Sequence, residues 1–317
     1  MKLSTVCLAA VAFALVPALD VSALTLTYGS EKTQVGVINQ TTHPNQEEPH
    51  PWGPRSFRVS NGEFWVADSV GGRVMHLADD GKLLHEIVVG TASALIEDIA
   101  LKTGAAGTVE GVFAIRSDTQ EVLLLGLDGK LLATFGSQGD EPGKLLQAAF
   151  VEVGPTGHVF VADIGREAIV VFDAAGKLVR ELHWEWSGMA LDPAGNLARL
   201  KWDEDAKLGH LILETPEGNA VKDIPLQLPE HTNPKLWWVG EKGESLVTYV
   251  PAEGFQGEFP WAICDVYGKP SSTGRVKPPL VMNRFLAMDR DATWYLAAGN
   301  FDEAPKGEFK IEKMLFK

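Results

Sequence analysis

After its first two dozen residues the chain alternates short apolar runs with polar turns, and it keeps doing so to the end. Runs such as GEFWVAD, EVLLLGL, VFVAD and TWYLAA hold four to seven residues rich in β-branched and aromatic types. Turns containing Gly, Asp or Asn separate them, the pattern of antiparallel strands. No apolar stripe with the 3.6-residue helical period follows the N-terminal segment. The prediction is an all-β chain of short strands.

The strands are not arranged at random. Residues 62–87 read GEFWVADSVGGRVMHLADDGKLLHEI, and residues 157–182 read GHVFVADIGREAIVVFDAAGKLVREL. Each gives a strand ending in Ala-Asp, a polar turn, a second strand, a turn closing on Gly-Lys, and a third strand. Related strands begin at Gly62, Gly111, Gly157, Gly195, Gly243 and Asp291, at successive differences of 49, 46, 38, 48 and 48 residues. The turn glycines Gly81, Gly129, Gly176, Gly218 and Gly268 follow at differences of 48, 47, 42 and 50. Two independent markers thus count six units of similar length. Antiparallel strands repeating at that interval predict a six-bladed β-propeller with four-stranded antiparallel blades.

A ring of blades must close. The last unit offers only MNRFLAMD, TWYLAA and KIEKMLF, three strands where the others have four. The stretch LTLTYGSEKTQVGVI lies ahead of the first unit and has strand character. Its KTQVGVI portion is similar to the closing strand KLLHEIVV. It is expected to supply the outer strand of the last blade, which removes an open edge.

The shared pattern, V-A-D, then five residues, Ile or Val, two residues, Phe or Leu, three residues and Gly-Lys, resembles the NHL repeat. It is best matched at 62–87 and 157–182. The resemblance implies a six-bladed propeller. It leaves function open, because NHL-like proteins include enzymes, ligand binders and partner-binding scaffolds.

Residues 1–23, MKLSTVCLAAVAFALVPALDVSA, stand apart from the repeats. Lys2 gives a positive start, Leu8 to Val16 a short apolar run, and Val21-Ser22-Ala23 a small-residue cleavage site. Pro17 and Asp20 cut the run below membrane-spanning length. The expectation is a signal peptide over 1–23 and a single propeller domain over 24–317. It implies a secreted or periplasmic protein with no membrane insertion after cleavage. Cys264 is then the one cysteine left, in the apolar stretch Ile263-Cys264-Asp265, and reads as a buried, inert thiol. The ring must hold without a disulfide.

The formal net charge is -14 and the pI about 5.0. That balance argues against nucleic acid as a partner, since phosphate binding wants a basic surface. Asp68 and Asp163, at the ends of their strands, read as acceptors of backbone N–H groups in the next turn. The eight histidines show neither H-x-H nor H-E-x-x-H spacing. The stretch SGMALDPAGNL at 187–197 resembles a blade entrance of lactonase-like and gluconolactonase-like propellers, which hold a divalent cation with Glu, Asn and Asp. Here that entrance offers Ser187.

Superposing the six units places the starts of the innermost strands near Arg55, Glu97, Gln147 to Ala149, Ser187, Lys235 and Arg284. Arg55, Lys235 and Arg284 with Glu97 would meet at one mouth of the central channel. Trp52, Trp186 and Trp237 stand near the same starts and could wall it. Three cations over apolar walls suit a small anion, which arginine can hold bidentately. The bland arrangement pairs Glu97 with one arginine and packs the tryptophans between blades. The polar loop 38–54 leads into the first blade and reads as a plain connector from the seam strand, with a lid over the mouth as the alternative. The expected function is an exported binding module for a small anionic molecule or a protein or peptide segment, with no cofactor. The alternative is a metal-dependent hydrolase or lyase of the lactonase-like or amidating-lyase-like class, with calcium or zinc on the channel axis.

Overall fold

The computed structural model describes residues 22–45, 50–91, 95–104, 107–203, 205, 208–279 and 281–314. Most of the expected signal peptide lies outside them. Strand β1 (Ser22–Thr27) comes first. Blade one follows with β2 (Ser56–Ser60), β3 (Glu63–Asp68), β4 (Arg73–Leu77) and β5 (Leu83–Val88). Blade two has β6 (Ile96–Thr103), β7 (Val109–Arg116), β8 (Glu121–Gly126) and β9 (Leu131–Phe135). Blade three has β10 (Ala148–Val153), β11 (Val159–Asp163), β12 (Ala168–Phe172) and β13 (Leu178–His183). Blade four has β14 (Ala190–Leu191), β15 (Leu197–Asp203), β16 (Leu208–Glu214) and β17 (Ala220–Leu226). Blade five has β18 (His231–Val239), β19 (Ser245–Pro251), β20 (Phe259–Cys264) and β21 (Pro270–Val276). Blade six has β22 (Leu286–Met288), β23 (Trp294–Ala298) and β24 (Glu308–Met314).

These form six four-stranded antiparallel sheets, each in simple sequential order except the last, which runs β1-β24-β23-β22. The six-bladed propeller and its closure by the N-terminal strand therefore hold. Burial explains why the strands read as they do. Strands β4, β11 and β12 are buried at every position, because neighbouring blades cover both their faces. The outermost strands β17 and β21 alternate exposed and covered residues, with one face in water. The turn glycines Gly81 and Gly129 sit at φ +80° and +77°, where a side chain would be strained.

One detail of the closure differs from expectation. The latching strand is the SALTLT segment, with Leu24 opposite Ile311 and Leu26 opposite Phe309. The KTQVGVI segment does not join the outer edge. It folds back so that Val35 N–H donates to Thr27 O and Gly29 N–H donates to Val35 O. Residues 136–145 make the same turn ahead of blade three, where Leu145 N–H donates to Ser137 O and Gly139 N–H to Leu145 O. KTQVGVI is thus an entry loop between blades, and its likeness to a closing strand lay only in apolar alternation.

Two side chains reinforce the seam. Both oxygens of the Asp289 carboxylate accept backbone N–H bonds from the first hairpin of blade one, Asn61 at 2.8 Å and Gly62 at 2.7 Å. Asn39 donates to the carbonyls of Phe301 and Ala304 at 2.8 and 3.0 Å, while its Oδ1 caps Thr41 and Thr42. The 38–54 loop is therefore anchored as a connector over its described part. Leu24, Leu26, Phe57, Phe64, Phe309 and Ile311 pack into one cluster across the same joint. Phe64 meets Tyr295 edge-on at 5.4 Å.

Candidate functional site

The six innermost strands carry most of the channel's charge. At the strand-start end, Arg55 precedes β2 and Glu97 stands near the start of β6. The Arg55 guanidinium donates two bonds to Glu97 Oε2, at 2.7 and 3.1 Å, and lies 5.3 Å from the Trp52 ring. Asn283 ties the group together. Its Nδ2 donates to Glu97 Oε2 at 2.8 Å, its Oδ1 accepts from Arg55 at 3.2 Å, and its backbone carbonyl accepts from Lys235 Nζ at 2.8 Å.

Lys235 differs from Arg55, Arg58 and Arg284. Among the described residues its ammonium meets no carboxylate at ion-pair distance. It lies instead over aromatic faces, 4.4 Å from the centre of Phe150, 4.5 Å from Trp237 and 5.9 Å from Phe285. Burial pushes its pKa down, the Arg284 charge adds to the effect, and Asp98 only partly opposes them. The value falls to about 7 from an ordinary 10.5. Burial therefore weakens this ammonium's hold on its proton relative to a surface lysine.

Deeper along the axis lies a charge layer. Asp98 is fully buried and Arg284 is 3% exposed. Arg284 donates to the Asp98 carboxylate through Nε and Nη2, the latter at 3.0 Å, and Nη2 also reaches Glu152 at 2.9 Å. Arg58 bonds Glu152 at 3.1 Å, Val151 O at 2.8 Å and Ile99 O at 2.6 Å. Asp98 also accepts from Ser56 Oγ and from Val151 N–H. Burial alone would raise the Asp98 carboxyl, but Arg284 and Arg58 overturn that and hold it below the ordinary carboxylate range.

The seven residues expected at the mouth are thus distributed over three places. Arg55, Glu97, Lys235 and Trp52 cluster at the strand-start end, with Trp237 beneath Lys235 and its Nε1 bonded to Thr248 Oγ1 at 2.8 Å. Arg284 sits in the buried layer. Trp186 is 56% exposed at φ +58°, beside a cavity of about 300 Å³ between blades four and five, which its neighbours Glu185 and Ser187 line. Sequence reasoning missed Arg58, Asp98, Glu152 and Asn283.

The axial carboxylates do not fit a divalent cation. Each is already bonded to a guanidinium, and Asp98 also takes a hydroxyl and an amide N–H. Among the described residues there is no group of three or more His, Cys, Asp or Glu placed to hold a metal. Cys264 is buried, and burial pushes its thiol up to about 11, which leaves it a poor nucleophile.

No family model matches the chain, and no curated protein matches it. Solved structures do. Virginiamycin B lyase from Staphylococcus aureus matches with TM-score 0.53 at 12% identity, covering 88% of this chain and 98% of that one. A gluconolactonase from Xanthomonas campestris matches with TM-score 0.53 at 12% identity, covering 82% and 86%. A chain from the crystal structure of BBS1N in complex with ARL6DN matches with TM-score 0.50 at 15% identity, covering 85% and 80%. Enzymes and a protein-binding assembly share the architecture, and at such identities the likeness extends to fold alone: the chain is similar to them as a six-bladed β-propeller.

Proposed function

We propose that the protein is an exported, NHL-like propeller that works as a binding module and takes a small anionic ligand at the strand-start end of its axis. One observation carries the reading: among the described residues Lys235 is an axial cation without a carboxylate at ion-pair distance, in a chain of net charge -14. A ligand carboxylate or phosphate would supply that counterion. Arg55, already oriented by Glu97 and backed by Trp52, would flank it. Export is supported by the composition of residues 1–23, a positive start, a short apolar run and a small-residue cleavage site.

The test is calorimetric titration of the mature chain with a panel of small carboxylates, phosphates and short peptides ending in a free carboxylate. At least one anion is expected to bind, more tightly at about pH 6 than at about pH 8 because Lys235 is then protonated. The variant Lys235→Met should lose that binding. An anion that binds Lys235→Met as well as the natural protein would end the proposal.

A further inference from the structure

The opposite end of the axis, where the innermost strands finish, holds a second cavity of about 240 Å³. Its walls combine two kinds of surface. Trp237, Trp238 and Trp294 supply flat apolar faces, with Trp238 and Trp294 perpendicular at 5.9 Å. Arg58, Arg284 and Arg290 supply positive charge, against Glu152 alone among the lining acids. Arg290 is exposed and has no ion pair among the described residues. Arg284 spends Nε and Nη2 on Asp98 and Glu152, and its Nη1 has no hydrogen-bond partner among the described residues.

From these features we infer that the strand-end cavity binds a planar aromatic monocarboxylate. The ring lies against the tryptophan walls, where stacking suits a flat apolar body. The carboxylate is held by Arg290 and Arg284. Glu152 and Asp98 already neutralise part of the guanidinium charge, so one negative charge balances the site and two would exceed it. The small volume limits the ligand to one or two fused rings with a short acid group.

The inference stands apart from the strand-start proposal, and the experiment separates them. Indole-3-carboxylate and 1-naphthoate are titrated into the mature protein while tryptophan emission is followed, with indole-3-carboxamide as the uncharged probe. Saturable quenching by both acids is expected, with the amide about tenfold weaker. Arg290→Gln should weaken the acids about tenfold. Lys235→Met, which removes the ammonium stacked on the Trp237 ring, should change their affinity less than Arg290→Gln does. Three results each overturn the inference: no saturable binding by either acid, equal binding of acid and amide, or binding lost in Lys235→Met and kept in Arg290→Gln. The last would place the acids at the strand-start end.

Discussion

The two charge groups on the axis are built from the same residue types but solved differently. In the deep layer, Arg58, Asp98, Glu152 and Arg284 satisfy one another completely enough that Asp98 stays ionised although fully buried. Two acids face two bases there, and backbone groups from β6 and β10 complete the bonds. At the strand-start end, Arg55 and Glu97 pair, and Lys235 is left with a carbonyl and aromatic rings. The deep group has both its acids paired, and it ties four blades at their centre. The outer group is one charge short of closed. The difference teaches that basic residues at a channel mouth do not by themselves mark a site, because most of them are spent on neighbouring carboxylates.

That contrast can be broken at its stronger side first. Asp98→Ala leaves Arg284 buried without its main counterion and should cost about 3–5 kcal/mol in urea unfolding. The sign of its pH dependence follows from the depressed carboxyl. Its stabilisation is present above the ordinary carboxylate pKa and is lost as pH falls through the lower folded value. Asp98→Asn should therefore flatten the acid limb of the stability profile. Stability unchanged in Asp98→Ala would show that the layer is not structural.

Asp163→Ala is the next largest effect, and it tests the repeats outside the axis. That carboxylate accepts from Leu146, Gln147 and Arg166 N–H groups at 2.6, 2.9 and 3.3 Å. Its loss should cost about 1–3 kcal/mol and expose the 144–147 segment to faster hydrogen exchange. Lys235→Met acts with the opposite sign, and only part of its effect falls between about pH 6 and 8. Because the folded pKa of Lys235 lies below its unfolded value, the native state binds fewer protons between the two. Stability from this group therefore rises with pH from about 7 toward 10.5. The methionine variant should melt above the natural protein at about pH 6 and lose that advantage as pH rises. A variant less stable at both pH values would mean that the ammonium is well solvated or paired.

The ring was legible because its two turn markers repeat independently of one another. Asp68 and Asp163 were legible as turn acceptors, and each does bond the turn that follows, at Gly71 and Arg166. Their second task was not legible. Each also holds the entry loop before its blade, Asp68 through Gly36 N–H and Asp163 through Leu146 and Gln147. The same blindness explains KTQVGVI, whose fold depends on a partner carboxylate 32 residues away from Gly36. On the axis, superposed strand starts found Arg55, Glu97 and Lys235. They missed Arg58, Asp98 and Glu152 because those pairs form across the channel, at separations of 94 and 186 residues. Local reading assigns one residue per strand to the channel, and here Glu97 and Asp98 both bond groups from other blades. A charged residue inside an otherwise apolar innermost strand, as in SFRVS and AAFVEV, was the available signal.

The central claim is that Lys235 is an unmatched, partly neutral amine awaiting an anion. It is tested most directly by following the protonation of its Nζ in an isotope-labelled sample, assigned by its disappearance in Lys235→Met. The account predicts titration near 7, moving upward when a binding anion is added, since an anion stabilises the ammonium. Titration together with the surface lysines, or a midpoint that no bound anion moves, would contradict it.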